Sequence, residues 1–222
     1  MDVSLIVAMN AEQHICPLCE SLETGIFHRD RYRDYYACKI CGMVHVPFVY
    51  HLSADKQKHR YDLHHNDPSD KGYRRFLSKL VDPLVERLEN GAEGLDYGSG
   101  PQPVLADMFS EKGYRMEIYD LYYAGNREVL TRQYDFLTCC ETMEHFSEPK
   151  KEWEQFLAMV KKGGWIAIMT QMLEDTDDFA RWHYINDETH VCFFSEKSFE
   201  WLGRKYGTEI IFESTSVVLC RV

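Results

Sequence analysis

Two cysteine pairs near the N-terminus, Cys16-Pro-Leu-Cys19 and Cys38-Lys-Ile-Cys41, stand eighteen residues apart. Two residues between thiols let one tight turn present both sulfurs, and four thiolates suit a tetrahedral Zn²⁺. A site closed by four sulfurs keeps no open position, so its role is structural. A second set of chemistry-bearing residues lies mid-chain. Glu141, Glu144 and His145 stand at i, i+3 and i+4, a spacing that puts all three on one helical face, and His190 follows later. Two carboxylates and two imidazoles form a donor set for a second divalent cation. His145 or His190 could equally act as a general base near neutral pH, with His183 and Tyr184 as weaker candidates.

The third feature is Gly94-Leu-Asp-Tyr-Gly-Ser-Gly100, followed by Pro101 and Pro103. It reads as a buried strand ending in a glycine turn that opens a helix. The next apolar run ends at Asp120. A strand, a glycine loop, a helix, a strand and an acid, in that order, form a nucleoside-cofactor site in α/β folds. Glycines admit the ligand to the backbone, and the carboxylate bonds the ribose hydroxyls. The third glycine of a dinucleotide site is absent, with Gln102 in its neighbourhood, and no Gly-Lys-Ser/Thr of a phosphate loop occurs.

The form Leu95-Asp-Tyr-Gly-Ser-Gly100 resembles the first motif of class I S-adenosylmethionine-dependent methyltransferases. Tyr134–Phe146 resembles the fourth-strand motif of that superfamily. Its Glu-x-x-Glu-His version is similar to the ubiquinone-biosynthesis-type O-methyltransferases. Lys162-Gly-Gly-Trp-Ile-Ala-Ile168 resembles the fifth-strand motif. The resemblance covers roughly residues 70–222 and implies a Rossmann-like α/β fold with a mostly parallel sheet and an antiparallel last strand. It implies S-adenosyl-L-methionine held by Asp96, Gly98, Ser99, Gly100, Asp120, Leu121, Cys139, Cys140 and Glu141. The Glu141/Glu144/His145/His190 set also resembles the metal-using small-RNA terminal-ribose 2′-O-methyltransferases.

These elements must be positioned by the rest of the chain, 222 residues with a formal charge of −11. Such a charge disfavours nonspecific binding to phosphate backbones. Arg29, Arg31 and Arg33, and Lys71, Arg74 and Arg75, read as solvated surface charge. The apolar run Leu5–Met9 is far too short for a membrane span, no signal pattern is present, and the expected compartment is the cytoplasm with reduced thiols. The expected organisation is a zinc-ribbon module (1–50), a polar linker or lid (51–70) and the cofactor domain (71–222). Helical spacing of Phe76, Leu77, Leu80, Val81, Leu84 and Leu88 predicts a helix that Pro83 kinks or splits. Strands follow at 94–97, 115–120, 134–139 and 164–170, with a helix at about 102–113. A helix carrying Trp153, Phe156 and Val160 ends at Gly163, and a helix near 195–206 precedes closing strands 208–213 and 215–222. Residues 121–133 are too short for a full third strand unit.

The function these readings favour is methyl transfer to oxygen, or less readily nitrogen, of a small-molecule acceptor. Tyr61, His64, His65 and Asn66 fall where a lid would lie, and Trp182, Tyr184, Phe193, Phe194 and Trp201 fall where an acceptor pocket would lie. Phe194 and Trp201 also fit core positions. Two alternatives are an RNA methyltransferase whose ribbon grips RNA, and a non-catalytic binding or regulatory protein on a degenerate core.

Overall fold

The protein's structure is a computed structural model describing residues 14–63, 67–174 and 178–222. The apolar run at 5–9 and the lid candidates His64, His65 and Asn66 lie outside the described residues. Strands β1 (Thr24–Arg29), β2 (Asp34–Cys38) and β3 (Val44–His45) form an antiparallel meander between and after the cysteine pairs. Helix α1 (Ala54–Tyr61) then leads to α2 (Lys71–Val85). The cofactor-type core follows as β4 (Glu93–Tyr97), α3 (Val104–Glu111), β5 (Arg115–Tyr119), β6 (Tyr134–Cys140), α4 (Pro149–Met159) and β7 (Val160–Met169). The chain closes with β8 (Cys192–Phe193), α5 (Glu196–Tyr206), β9 (Glu209–Phe212) and β10 (Val217–Arg221).

The large sheet has the order β5-β4-β6-β7-β10-β9. Strands β5, β4, β6 and β7 are parallel, and β10 runs antiparallel to both β7 and β9. One face packs on α2 and α3 through Leu77, Leu80, Phe109 and Phe136. The other packs on α4 and α5 through Trp153, Phe156, Phe199 and Leu202, in a core that continues into Cys16, Tyr35, Met43 and Val44. The alternation of β6 explains the two cores, since Phe136 faces one and Leu137 and Cys139 the other. Residues 121–133 hold a single bridge, Asp120 to Ala124, and a 3₁₀ turn at Arg127–Thr131 in place of a third strand unit.

Four expectations need correction. The 51–70 segment contains α1, whose sequence is polar on every side and buries no residue. It is fastened instead by Tyr122 and Tyr123, whose hydroxyls donate to Gln57 (3.0 Å) and Asp62 (2.6 Å). Pro83 does not split α2: it lies inside the helix two residues before Val85, so the bond its missing N–H forgoes is close to the helix end. Gly163 is no helix cap. Helix α4 ends at Met159, and Gly163 (φ +80°) lies within β7 where its register on β6 shifts. The helix after the glycine loop starts at Val104, so both prolines precede it.

The boundary drawn at residue 50 is also crossed. Strand β3 pairs antiparallel with β8, so the small sheet has the order β1-β2-β3-β8 and takes its last strand from the distant C-terminal part of the chain.

The glycine turn after β4 is fixed by sterics. Gly98 has φ +82°, and its N–H and that of Ser99 both donate to Tyr119 O, at 2.7 and 3.1 Å. A Cβ on Gly98 would lie 2.3 Å from the Thr142 side chain. We expect Gly98→Ala to lower unfolding free energy by about 1–3 kcal/mol from backbone strain alone, read by urea denaturation. A variant as stable as the parent would show that this turn is not under steric control.

Candidate functional site

The carboxyl ends of the parallel strands open into one crevice of about 690 Å³. The turn after β4 supplies Gly98, Ser99 and Gly100. Asp120, at the exit of β5, ties that turn down. Its Oδ2 accepts from Gly100 N (3.0 Å), and its Oδ1 accepts from Tyr122 N (2.8 Å) and Tyr123 N (3.1 Å). Gln102 is exposed and does not adopt positive φ, so this turn has no need of glycine there. Asp96 lies at the floor, buried, and accepts a hydrogen bond from Thr138 (2.8 Å) on the neighbouring strand. Leu121, Cys140 and Glu141 line the same crevice. Cys139 does not: the alternation of β6 points it into the core beside α4.

Glu141 adopts φ +47°, a left-handed conformation that costs a non-glycine residue strain. The backbone therefore turns sharply at 141, and the short 3₁₀ turn Met143–His145 follows. The single helical face expected for Glu141, Glu144 and His145 does not form. Glu144, His145 and His190 nevertheless converge, each offering a ligand atom within 4.8 Å of the others, and Glu141 stands outside this cluster while lining the crevice.

The cluster is held from behind. Glu144 is fully buried and accepts from the hydroxyls of Tyr184 (2.5 Å) and Thr170 (3.0 Å). His145 donates from Nδ1 to Thr189 O (3.1 Å), and His190 donates from Nδ1 to Tyr184 O (2.7 Å). A carbonyl can only accept, so both rings carry a proton on Nδ1, and the Nε2 of a neutral ring is left with its lone pair. The rings sit 4.7 Å apart, with Tyr61 of α1 edge-on to His145 at 5.2 Å. Burial holds the His190 imidazole down to about 4, so it is neutral at pH 7. Burial, then the Glu144 charge, pushes Glu141 up to about 8.

Sequence reasoning singled out each cluster member but missed Thr170 and the hydroxyl role of Tyr184. Thr170 is one residue beyond β7, and nothing in its neighbours' types marks it. Of the pocket aromatics, Tyr184 lines the crevice, Phe193 and Phe194 are buried, and Trp201 is half-buried.

The four N-terminal cysteines form the other candidate metal centre. Sγ atoms of Cys16 and Cys41 are 3.5 Å apart, and those of Cys19 and Cys38 are 3.4 Å apart. Tetrahedral zinc–thiolate bonds of about 2.3 Å put sulfurs roughly 3.8 Å apart, so the set fits zinc with a small relaxation. Each pair is followed by a left-handed residue, Glu20 (φ +60°) and Gly42 (φ +75°), which closes the turn. Without a metal the thiols split: the Cys41 hydrogen bond draws Cys16 down to about 6, while burial pushes Cys19 up to about 12 and the bond with Cys16 pushes Cys41 up.

Arg33 departs from the expected surface arginines. It is buried, and Arg29 is paired with Asp34 (3.0 Å). No helix among the described residues is long and apolar enough to cross a membrane.

Comparison with known proteins bears on this geometry. Residues 69–212 match a family described as a methyltransferase domain. Ubiquinone biosynthesis O-methyltransferases of Pseudomonas savastanoi pv. phaseolicola and Pseudomonas syringae pv. syringae are each 31% identical over 77 residues. That match spans 35% of this chain and only about a third (33%) of those relatives' length. Among solved structures, a Bacillus halodurans C-125 protein assigned to the methyltransferases aligns with TM-score 0.50 and 19% identity, over 61% of this chain and 67% of that one. An O-methyltransferase family protein from Burkholderia thailandensis aligns with TM-score 0.50 and 14% identity, over 74% and 61%. These structural likenesses establish the fold.

Asp96 generates a pH prediction. Burial lifts its carboxyl from an ordinary 3.8 to about 7. Between those values the folded chain keeps a proton that the unfolded chain has released, so this residue's contribution to stability falls as pH rises from about 4 to 7, then levels. Asp96→Asn removes the titration and keeps an acceptor for Thr138. Urea titrations across that window should show the variant gaining stability relative to the parent as pH rises. A pH-independent difference would contradict the assigned burial effect.

Proposed function

The chain belongs to the methyltransferase-domain family, and on that premise we propose that it transfers the methyl group of S-adenosyl-L-methionine to an oxygen, or less readily a nitrogen, of a small-molecule acceptor. The observation that carries this reading is the two-sided crevice. The glycine turn, Asp120 and Cys140–Glu141 form one wall, and Glu144, His145 and His190 form another. The donor supplies an already activated sulfonium methyl, so the protein's task is chiefly to align donor and acceptor.

Gly100, with nothing within 4 Å of where a Cβ would stand, leaves room for the donor's backbone-facing side. The Asp120 carboxylate, oriented by three backbone N–H groups, retains acceptor capacity for ribose hydroxyls. Tyr61 and Tyr122 line the crevice with their rings 5.7 Å apart. On the acceptor side, a neutral His190 or His145 with a free Nε2 can take the proton of a hydroxyl as it is methylated.

A second reading of the same cluster is a divalent-cation site. Both imidazoles donate Nδ1–H to backbone carbonyls, and Glu144 is fixed by two hydroxyls, the outer-shell arrangement that orients metal ligands. A cation there would lower an acceptor hydroxyl's pKa and orient it. We further propose that Cys16, Cys19, Cys38 and Cys41 hold one structural zinc. A polyanionic RNA acceptor is less favoured, because Arg33 is spent inside the fold and the net charge is −11.

Calorimetric titration with S-adenosylhomocysteine tests the donor side. We expect saturable binding, weakened about tenfold or more, roughly 1.4 kcal/mol, by Asp120→Ala. Absence of binding to the unmodified protein would defeat the methyltransferase reading and favour the binding-protein alternative. Metal analysis should find one zinc per chain, lost in Cys38→Ser together with cooperative unfolding of the N-terminal sheet. After removal of loosely held metal, titration with Mg²⁺ or Mn²⁺ separates the two readings of the cluster. Uptake abolished by His190→Ala supports the cation, and no uptake leaves the histidines as proton acceptors.

A further inference from the structure

We infer that Arg33 is a positioning residue for the acceptor half of the crevice, which makes the cysteine module an integral part of the active site. The inference rests on the reading of Glu144, His145 and His190 as that half.

Arg33 lies in the turn between β1 and β2 and is only 7% exposed. Every N–H of its guanidinium group is used. Nε donates to the Tyr35 hydroxyl (2.7 Å). One terminal nitrogen donates to Glu188 O (3.1 Å) and His190 O (2.8 Å), and the other to Ile185 O (2.8 Å) and Asp187 O (3.0 Å). Four carbonyls from one six-residue loop thus converge on a side chain about 155 positions earlier in sequence. The loop has no strand or α-helix of its own to satisfy those groups.

Its own anchor is rigid. The Tyr35 hydroxyl donates to Asp30 Oδ2 (2.8 Å), and Asp30 Oδ1 accepts from the backbone N–H of Tyr32 and Arg33. Cys38 ends β2, the strand that Arg33 precedes, so the cysteine cluster and the guanidinium belong to the same small sheet. The loop that Arg33 gathers is also the one from which the imidazoles hang. His190 belongs to it, and His145 donates to the carbonyl of Thr189 within it. At the loop's end, Val191 O accepts from Val46 N (2.9 Å) while Val191 N donates to Glu144 O (2.8 Å). The module therefore bonds directly to the loop that carries His190, and reaches Glu144 and His145 through that loop's Val191 and Thr189.

A lysine could not substitute. An ammonium offers three donors from one point, whereas these carbonyls are arrayed around a planar fork. Charge alone would be retained in Arg33→Lys, and the geometry would be lost.

The test uses the full-length zinc-loaded protein and Arg33→Lys, with three readouts. Titration with S-adenosylhomocysteine should give affinities within about twofold of each other, because the glycine turn lies on the other wall. Hydrogen–deuterium exchange of the peptide spanning 185–191 should quicken about tenfold or more in the variant, with β4 and β6 unchanged. Long-range ¹H–¹⁵N spectra should show a single Nδ1–H form of His145 and His190 in the parent and a mixture of tautomers in the variant. Parent-like exchange and a single tautomer in Arg33→Lys would overturn the role of Arg33, as would an equal rise in exchange across the whole core. Should that variant not fold, Tyr35→Phe removes one partner and keeps the guanidinium. A local quickening at 185–191 is then expected, and its absence overturns the proposal. Failure of the parent protein to bind S-adenosylhomocysteine overturns the methyltransferase reading instead, a separate outcome because the exchange readout needs no ligand.

Discussion

The antiparallel pairing of Val44–His45 with Phe193–Cys192 joins two segments separated by nearly the whole methyltransferase core. It satisfies backbone groups of a two-residue strand that could not stand alone, and it brings the cysteine module against α4 and α5. The contacts around it reinforce this placement. Ser195, the N-cap of α5, donates to Gly42 O (3.3 Å), Lys197 donates to Lys39 O (2.7 Å), and Lys150 pairs with Glu20 (2.5 Å). Each of these reaches one of the two cysteine turns. A module this small buries too little apolar surface to fold alone, and here it borrows both a strand and a core from its neighbour. Loop 185–191 is consequently shaped from two directions, by the large sheet on one side and by the module on the other.

The two walls of the crevice have different physical origins. The donor wall is local. Its turn follows from glycines at 98 and 100, from β4 lying beside β5, and from one carboxylate, Asp120, that accepts three N–H groups within reach of the same strand ends. The acceptor wall is non-local. It draws Glu144 from the turn after β6, Thr170 from the end of β7, Tyr184 and His190 from the segment before β8, and its bracing from β1 and β2. Loss of order in any one contributor reaches the imidazoles, whereas the donor wall depends on a single compact unit.

This difference governs what could be read from the sequence. The glycine turn, the strand ends, α5, the reduced 121–133 segment and the cysteine pairs were legible because each depends on residues close in sequence. The i, i+3, i+4 spacing of Glu141, Glu144 and His145 correctly flagged a cluster but misjudged its geometry, since the left-handed Glu141 breaks the helix that the spacing presumed. Helix α1 was invisible because it has no apolar stripe and is held by tyrosine hydroxyls from the far side of the crevice. Gly163 was misread because a glycine after an apolar stripe signals a helix stop, and here the strand partner, which sequence does not reveal, ended the helix earlier. Arg33 looked like surface charge because its partners are carbonyls, and carbonyls leave no signature in residue types.

The electrostatics of the crevice follow from the same architecture and bear on which ligand it accommodates. Asp96, Asp120, Glu141 and Glu144 share one partly enclosed space. Burial raises Asp96 to about 7 and, with the neighbouring Glu144 charge, Glu141 to about 8. Without a positive ligand, ionising Asp96 and Glu141 there is costly. On the proposed reading, a bound sulfonium would supply charge that favours ionised Asp96 and Glu141, coupling its binding to proton release. Methyl transfer turns the sulfonium into a neutral thioether. On that reading the carboxylates would then lose that partner, and the product would be held less tightly than the donor by this contribution. A crevice crowded with buried acids would therefore favour the proposed charged donor over its neutral product, a bias that an uncharged glycine turn cannot provide.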